Sequence, residues 1–216
     1  MSYITVQHVS KQVKDISILE DINLTMDKNK IYGFVGKNGC GKTVLFKILC
    51  GLMNVSSGEV VIDDKKIGRG VHPKNVGLLI EDAGMWDNLS AFENLRILNQ
   101  ISQHRVSESE IQDLLVQFDL TNTDKKVFKK FSLGMKQKLR LAQAFMGHPS
   151  LIILDEPTNA LDEESVHHLR NLILEEKSRG STFLLASHAS EDIRILCDEV
   201  IYMECGRIKT KEVLEQ

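Results

Sequence analysis

Proline is scarce, with 3 in 216 residues, glycine is ordinary at 14, and aromatics make up only 6%. A collagen-like or low-complexity chain is thereby excluded. No apolar run reaches the roughly 20 residues of a membrane-spanning helix, so the chain is not expected to cross a bilayer by itself. A basic excess is missing too: the net charge is −3 and the pI about 6.2, which removes the general electrostatic attraction to nucleic acid or anionic lipid. The opening Met1-Ser2-Tyr3-Ile4-Thr5-Val6 lacks the basic and then apolar regions of a signal peptide. The four cysteines (Cys40, Cys50, Cys197, Cys205) form no C-x-x-C pair and are too few for a disulfide framework. Reduced thiols in the cytosol are the simplest expectation. What is present, 42% hydrophobic and 26% charged residues, suits one large core with a side lobe.

Short apolar runs at Ile31–Val35, Val76–Ile80, Leu151–Leu154 and Thr182–Ala186 have the length and bulk of strands buried on both faces. Their alternation with helical patterns predicts a mostly parallel sheet covered by helices. The opening segment alternates, with Ile4, Val6 and His8 expected on one side; Glu59–Ile62 and Val200–Met203 read as strands nearer an edge. Between Glu81 and about Ser150 the period changes and helices take over. Ser90 with Glu93, and Ser107 with Glu110, have capping-box spacing. Leu89 stands where a hydrophobic staple would, and Phe92, Leu95 and Ile101 are expected on one helical face. Ile111, Leu114, Leu115 and Phe118 follow the second cap at i, i+3, i+4, i+7. A third helix starts near Ser132 and stops before Pro149. The prediction is one domain, residues 1–216, with a core of 1–81 and 150–216 and a helical subdomain at about 82–149.

Three segments carry chemistry. Gly36-Lys37-Asn38-Gly39-Cys40-Gly41-Lys42-Thr43 fits G-x-x-x-x-G-K-[ST], between a buried strand and an amphipathic helix over Val44–Leu52. Its glycines let backbone N–H groups wrap phosphates, and the helix N-terminus adds partial positive charge. Lys42 would reach the β- and γ-phosphates, and Thr43 would offer its hydroxyl to Mg²⁺. The apolar run Leu151–Leu154 ends in Asp155 and Glu156. Adjacent acids at a buried strand end suit a cation, because desolvating charge is costly. Asp155 is placed to support Mg²⁺, and Glu156 to accept a proton from water or to orient it. Thr182–Ala186 leads through Ser187 to His188, within reach of a γ-phosphate; the other six histidines, His167 and His168 among them, are read as solvated. Lys125, Lys126, Lys129 and Lys130 read as a solvated basic face, whereas Ser132 and Gly134 lie where a helix start could face an anion.

Together these residues resemble an ATP-binding cassette ATPase, the nucleotide-binding subunit of an ABC transporter. The resemblance runs from about Val6 to Ile208: the phosphate loop at Gly36, a signature-like Ser132-Leu133-Gly134-Met135-Lys136-Gln137, Asp155-Glu156-Pro157-Thr158-Asn159, Asn159-Ala160-Leu161-Asp162, and His188. It implies an α/β P-loop NTPase fold, a mostly parallel sheet with an antiparallel β edge and an inserted helical subdomain. It also implies ATP and Mg²⁺ as cofactors and an ATP-sandwich dimer with a second copy or a paralogous ATPase. In that dimer Ser132 and Gly134 complete the neighbour's site and Asp162 lies at the seam. Separate transmembrane permease subunits would be partners, with the chain peripheral on the inner face of the cell membrane and no nucleic acid expected.

Departures from the family pattern are Val13, with Ile16 and Ile18 nearby, where an adenine-stacking aromatic is usual; Val44 where a second hydroxyl is usual; and Leu133 for a glycine. Glu81 stands where a glutamine senses Mg²⁺ and the membrane subunit, so Glu81 is expected to touch the metal and the reaction. Glu81 and the signature segment resemble bacterial exporters for bacitracin and lantibiotic self-protection. A soluble ABC ATPase on ribosomes or DNA is the main alternative, yet a single cassette without sustained heptads argues against it. A small-molecule kinase leaves Asp162 unexplained, and a non-hydrolysing module leaves Glu156 and His188 so.

Overall fold

The computed structural model describes residues 2–80, 84–102, 104–121 and 126–214. Strands β1 (Ile4–Val13), β2 (Ile16–Met26), β4 (Ser57–Ile62) and β5 (Lys65–Ile67) form an antiparallel sheet in the order β2-β1-β4-β5. A second sheet has the order β10-β9-β3-β8-β7-β6, from β3 (Ile31–Val35), β6 (Val76–Leu79), β7 (Leu151–Asp155), β8 (Thr182–Ala186), β9 (Glu199–Glu204) and β10 (Arg207–Val213). Its five strands from β9 to β6 are parallel, and β10 is an antiparallel edge.

Why the central runs are apolar throughout is visible in their side chains. Leu151, Ile153, Leu184 and Ala186 join one core, which lies against the antiparallel sheet and α1 (Lys42–Leu49). Ile152, Leu154, Phe183 and Leu185 join a second core on the opposite face, beneath the helices. Each strand alternates between two cores, so period 2 persists with both phases apolar.

Between β6 and β7 come α2 (Ala91–Ile101), α3 (Glu108–Gln117) and α4 (Leu133–Phe145), with a 3-10 turn at Phe128–Lys130. Both capping boxes form, at Ser90 with Glu93 and at Ser107 with Glu110. The helical segment shares its core with the sheet: Leu95, Ile111, Leu139 and Ile152 belong to one cluster. After β7 come α5 (Glu163–Ser178) and α6 (Ser190–Leu196).

Several local expectations are corrected. His8 does not share a face with Ile4 and Val6. A bulge between Val6 and Val9, with His8 at φ 49°, turns His8 to solvent and Val9 inward. Leu89 has no apolar partner at the staple position, because Asn94 stands there. That buried amide donates to the carbonyls of Trp86, Leu89 and Ser90 and accepts from the Trp86 N–H. Ile101, at the end of its helix, is 74% exposed instead of facing the core. Of the histidines read as solvated, His168 is half-buried and bonds the Gln117 carbonyl at 2.6 Å, whereas His8, His72 and His148 are exposed as expected, though paired with Asp21, the Cys50 carbonyl and Glu176. No helix among the described residues is long and apolar enough to cross a membrane.

Candidate functional site

The site gathers where the parallel strands end. β3 runs into the glycine loop, β7 into Asp155 and Glu156, and β8 into Ser187 and His188. Parallel strands bring these three carboxyl ends side by side, the usual place for a ligand in an α/β sheet.

Glycine is required at two positions of the loop by what surrounds them. A Cβ on Gly36 would stand 2.3 Å from the Met203 carbonyl oxygen and 2.6 Å from Cys40 Sγ. Gly41 caps α1 at φ 107°, and a Cβ there would meet the Leu19 side chain at 2.6 Å. The first turn of α1 carries no acid of its own, which suits an anion at the helix N-terminus. Lys42 is buried, with Nζ donating to the Gly36 carbonyl at 2.6 Å. Thr43 Oγ1 donates to Asp155 Oδ2 at 2.5 Å.

Asn38, Gly39, Cys40, Gly41, Lys42, Thr43 and Val44 share a cavity of about 520 Å³ with Asp155, Glu156, Asn159 and Ile18. Ligand-sized pockets have about this volume. Gly36 and Lys37 shape the loop and do not line the cavity. Of the three apolar residues expected near a base, only Ile18 reaches it. Val13 and Ile16 pair at the exposed end of the β1–β2 hairpin. Tyr3 offers no stacking surface: it is buried, with its hydroxyl 3.4 Å from Ser150 Oγ at the start of β7. Cys40 is 5% exposed and packs over Gly36, so its thiol fills space behind the loop.

Glu156 sits at φ 51°, a left-handed backbone conformation that costs a side-chain-bearing residue of order 1–3 kcal/mol. Its N–H is tied to the Ala186 carbonyl and Gln137 holds the Pro157 carbonyl, so the surroundings impose the conformation. Burial pushes the Glu156 carboxyl up from its ordinary range, and the charge of His188 works against that rise. Glu156 Oε2 accepts from the His188 N–H at 3.3 Å, and Oε1 lies 3.2 Å from His188 Nε2. The same Nε2 is 2.7 Å from Asn38 Oδ1, so His188 bridges the glycine loop and the acidic strand end.

Ser132, Gly134 and Asp162 do not line the cavity. Ser132 is the N-cap of α4, accepting from the Met135 N–H, and Gly134 faces the Ala160 carbonyl. Leu133 is 75% exposed, on a hollow lined also by Gln137, Glu156 and Asn159. Asp162 caps α5, and its bonds from Ser165 hold its carboxyl below the usual carboxylate range. Glu81, with Asp82 and Lys125, lies outside the described residues. The sequence alone placed Ile18 near a base but gave Gln137 and Asn159 no role of their own beyond membership of the signature-like and Asn159–Asp162 segments.

An oxygen-only pair, the Thr43 hydroxyl against the Asp155 carboxylate, fits a hard divalent cation such as Mg²⁺. Among the described residues no group of three or more His, Cys, Asp or Glu forms a cage, so phosphate oxygens and water would complete its shell.

The ABC transporter family profile matches residues 19–159. An uncharacterized ABC transporter ATP-binding protein of Bacillus subtilis, YybJ, is 40% identical over 97% of this chain and 96% of its own length. The lantibiotic transport ATP-binding protein SrtF of Streptococcus pyogenes is 36% identical over 94% of this chain and 87% of its own. A solved ATP-binding subunit of an ABC transporter superposes with a TM-score of 0.89 at 28% identity, covering 99% of this chain and 90% of that one.

Proposed function

This chain belongs to the ABC transporter family as an ATP-binding subunit, and on that premise we propose that it powers a bacterial exporter of the antimicrobial-peptide or antibiotic resistance type. The observation that carries the hydrolytic part is the meeting of Glu156 and His188 over the glycine loop. In this reading Lys42 leaves the Gly36 carbonyl for the β- and γ-phosphates, and the loop N–H groups hold the rest of the polyphosphate. Thr43 and Asp155 would hold Mg²⁺, which supplies charge neutralisation at the phosphates. Glu156 takes the proton from the attacking water, and His188 steadies both Glu156 and the terminal phosphate.

Ser132 and Gly134 lie off the cavity that holds Lys42, on an exposed face with Leu133. This supports their use by a second cassette, either a copy or a paralogue, with Asp162 at the seam. Glu81 belongs to the same proposal as a contact to Mg²⁺ and to the membrane subunit, as do separate permease subunits and a place on the inner face of the membrane. SrtF, at 36% identity, carries lantibiotic transport in its name and supports the export reading.

The deciding experiment expresses the chain with the membrane protein encoded beside it. Co-purification from membranes, with resistance to a lantibiotic panel that vanishes in Glu156→Gln, is the expected result. A chain that stays in the soluble fraction and leaves resistance unaltered would overturn the transporter reading.

A further inference from the structure

Behind the site lies a buried ionic hub that the sequence motifs do not include. Asp192 on α6 is 1% exposed, and Arg170 on α5 is 6% exposed. Arg170 gives Nε to Asp192 Oδ1 at 2.8 Å, and Nη2 lies 2.7 Å from the same oxygen; Nη2 also reaches Glu191 Oε2 at 2.9 Å. The second oxygen, Asp192 Oδ2, is the shared acceptor of two hydroxyls, Ser187 Oγ at 3.2 Å and Thr158 Oγ1 at 3.3 Å. Ser187 in turn accepts from the Ala189 N–H at 3.1 Å, so the chain around His188 is folded about that hydroxyl.

These two hydroxyls stand on the two segments that matter. Thr158 is two residues beyond Glu156, and Ser187 is the residue before His188. One carboxylate therefore fixes both segments, and a buried guanidinium fixes the carboxylate. A buried charge pair of this kind adds little to net stability against an apolar replacement, and its directionality is its use. We infer that Arg170 and Asp192 are positioning residues that set the separation of Glu156 and His188 through Thr158 and Ser187. The inference rests on the reading of Glu156 and His188 as the hydrolytic pair. The strain at Glu156 fits it, since a left-handed residue persists only where its surroundings over-determine it.

The test uses the full chain. Thr158→Val removes one hydroxyl at nearly constant volume and leaves the Arg170–Asp192 pair intact. It is expected to lower kcat by about tenfold while the KM for ATP stays within about twofold, as a small misplacement of reacting groups does. Thr158→Ser should restore the rate. Asp192→Ala should lower it further, and because that variant leaves Arg170 unpaired, Thr158→Val remains the deciding one. As a control, Ser181→Ala removes a more deeply buried hydroxyl, which donates to the Pro149 carbonyl at the far end of the sheet. It should lower the thermal midpoint and leave kcat alone. A nucleotide-free arm measures hydrogen exchange at the His188 and Ala189 amides, which should quicken in Thr158→Val while the amides of β7 and β8 do not. Unchanged kcat and unchanged exchange in Thr158→Val would overturn the inference, as would an equal fall of kcat in Ser181→Ala. Should the wild-type chain hydrolyse no ATP, the functional reading fails and the exchange arm still decides the positioning.

Discussion

The two ends of the parallel sheet are made from the same strands and are built on opposite terms. Where the strands start, polar groups are closely paired. Glu199 is held by Lys30 at 2.6 Å and Lys211 at 2.5 Å, and Asp198 by Lys177 and the Ile31 N–H. Thr182 takes the Asn29 N–H, and Ser181 donates to the Pro149 carbonyl. Where the strands finish, conformations are harder and charged groups line the cavity. Lys42, a buried cation, donates to the Gly36 and Lys37 carbonyls, and Glu156 is both desolvated and left-handed. One end spends its polar chemistry on holding the fold, and the other keeps it available for a ligand.

The largest effect should come from breaking the finishing end. Lys42→Ala is expected to cut ATP hydrolysis by about 100-fold or more, because it removes a fixed charge from the developing phosphate charge. Glu156→Gln should cut it by about 10²–10⁴ while retaining ATP binding, since the amide keeps the shape and loses the base. Neither change should lower the thermal midpoint appreciably. A large loss of stability in either would erase the contrast between the two ends.

Glu199→Gln tests the starting end. Burial alone would push the Glu199 carboxyl up, but the bonds from Lys211 and Lys30 prevail and hold it below the ordinary value. A depressed carboxylate contributes stability that is full above its unfolded pKa and fades as pH falls toward the folded one. The variant should therefore lose about 1.5–3 kcal/mol at neutral pH, the scale of charge-assisted hydrogen bonds. That difference should vanish in acid, in thermal melts run across pH, with kcat unaltered. A gap that widened as pH fell would contradict the assignment.

Smaller effects sharpen the picture of the cavity. Ile18→Ser should weaken ATP binding a few-fold in calorimetry, whereas Val13→Ala should leave it unchanged, because only Ile18 lines the cavity. Smallest is the cysteine test. Alkylation should mark exposed Cys205 quickly and buried Cys40 slowly, with and without MgATP. Rapid, nucleotide-protected labelling of Cys40 would show that the loop opens in the free chain.

Much of this was legible because the residues concerned answer to local physics. Ile31–Val35 and Thr182–Ala186 were read with the bounds the structure gives, since a short run buried on both faces has no alternative period. The caps at Ser90 and Ser107 were legible for a similar reason: a capping box closes within four residues. The glycine loop, Asp155, Glu156 and His188 stood at strand ends that only a parallel sheet brings together. What the sequence hid depends on distant partners. The His8 bulge answers to the pairing of β1 with both β2 and β4, and Asn94 overrode the staple because its amide could satisfy three carbonyls at once. Asp192 looked like any acid in the first turn of a short helix, and nothing within ten residues announces Arg170. Val13 and Ile18 differ only in how far along a hairpin they fall.

The wall behind Gly36 has a consequence for how the protein is made. That wall is the Met203 carbonyl, and the next turn ties the Gly206 N–H to the Cys40 carbonyl and the Glu20 N–H to the Gly206 carbonyl. A ribosome therefore releases residues 36–43 more than 150 residues before the β9–β10 hairpin that shapes them. The loop proposed to grip phosphate is among the first parts of the chain to be translated and among the last to be finished, so a nascent chain lacking that hairpin should not yet hold nucleotide.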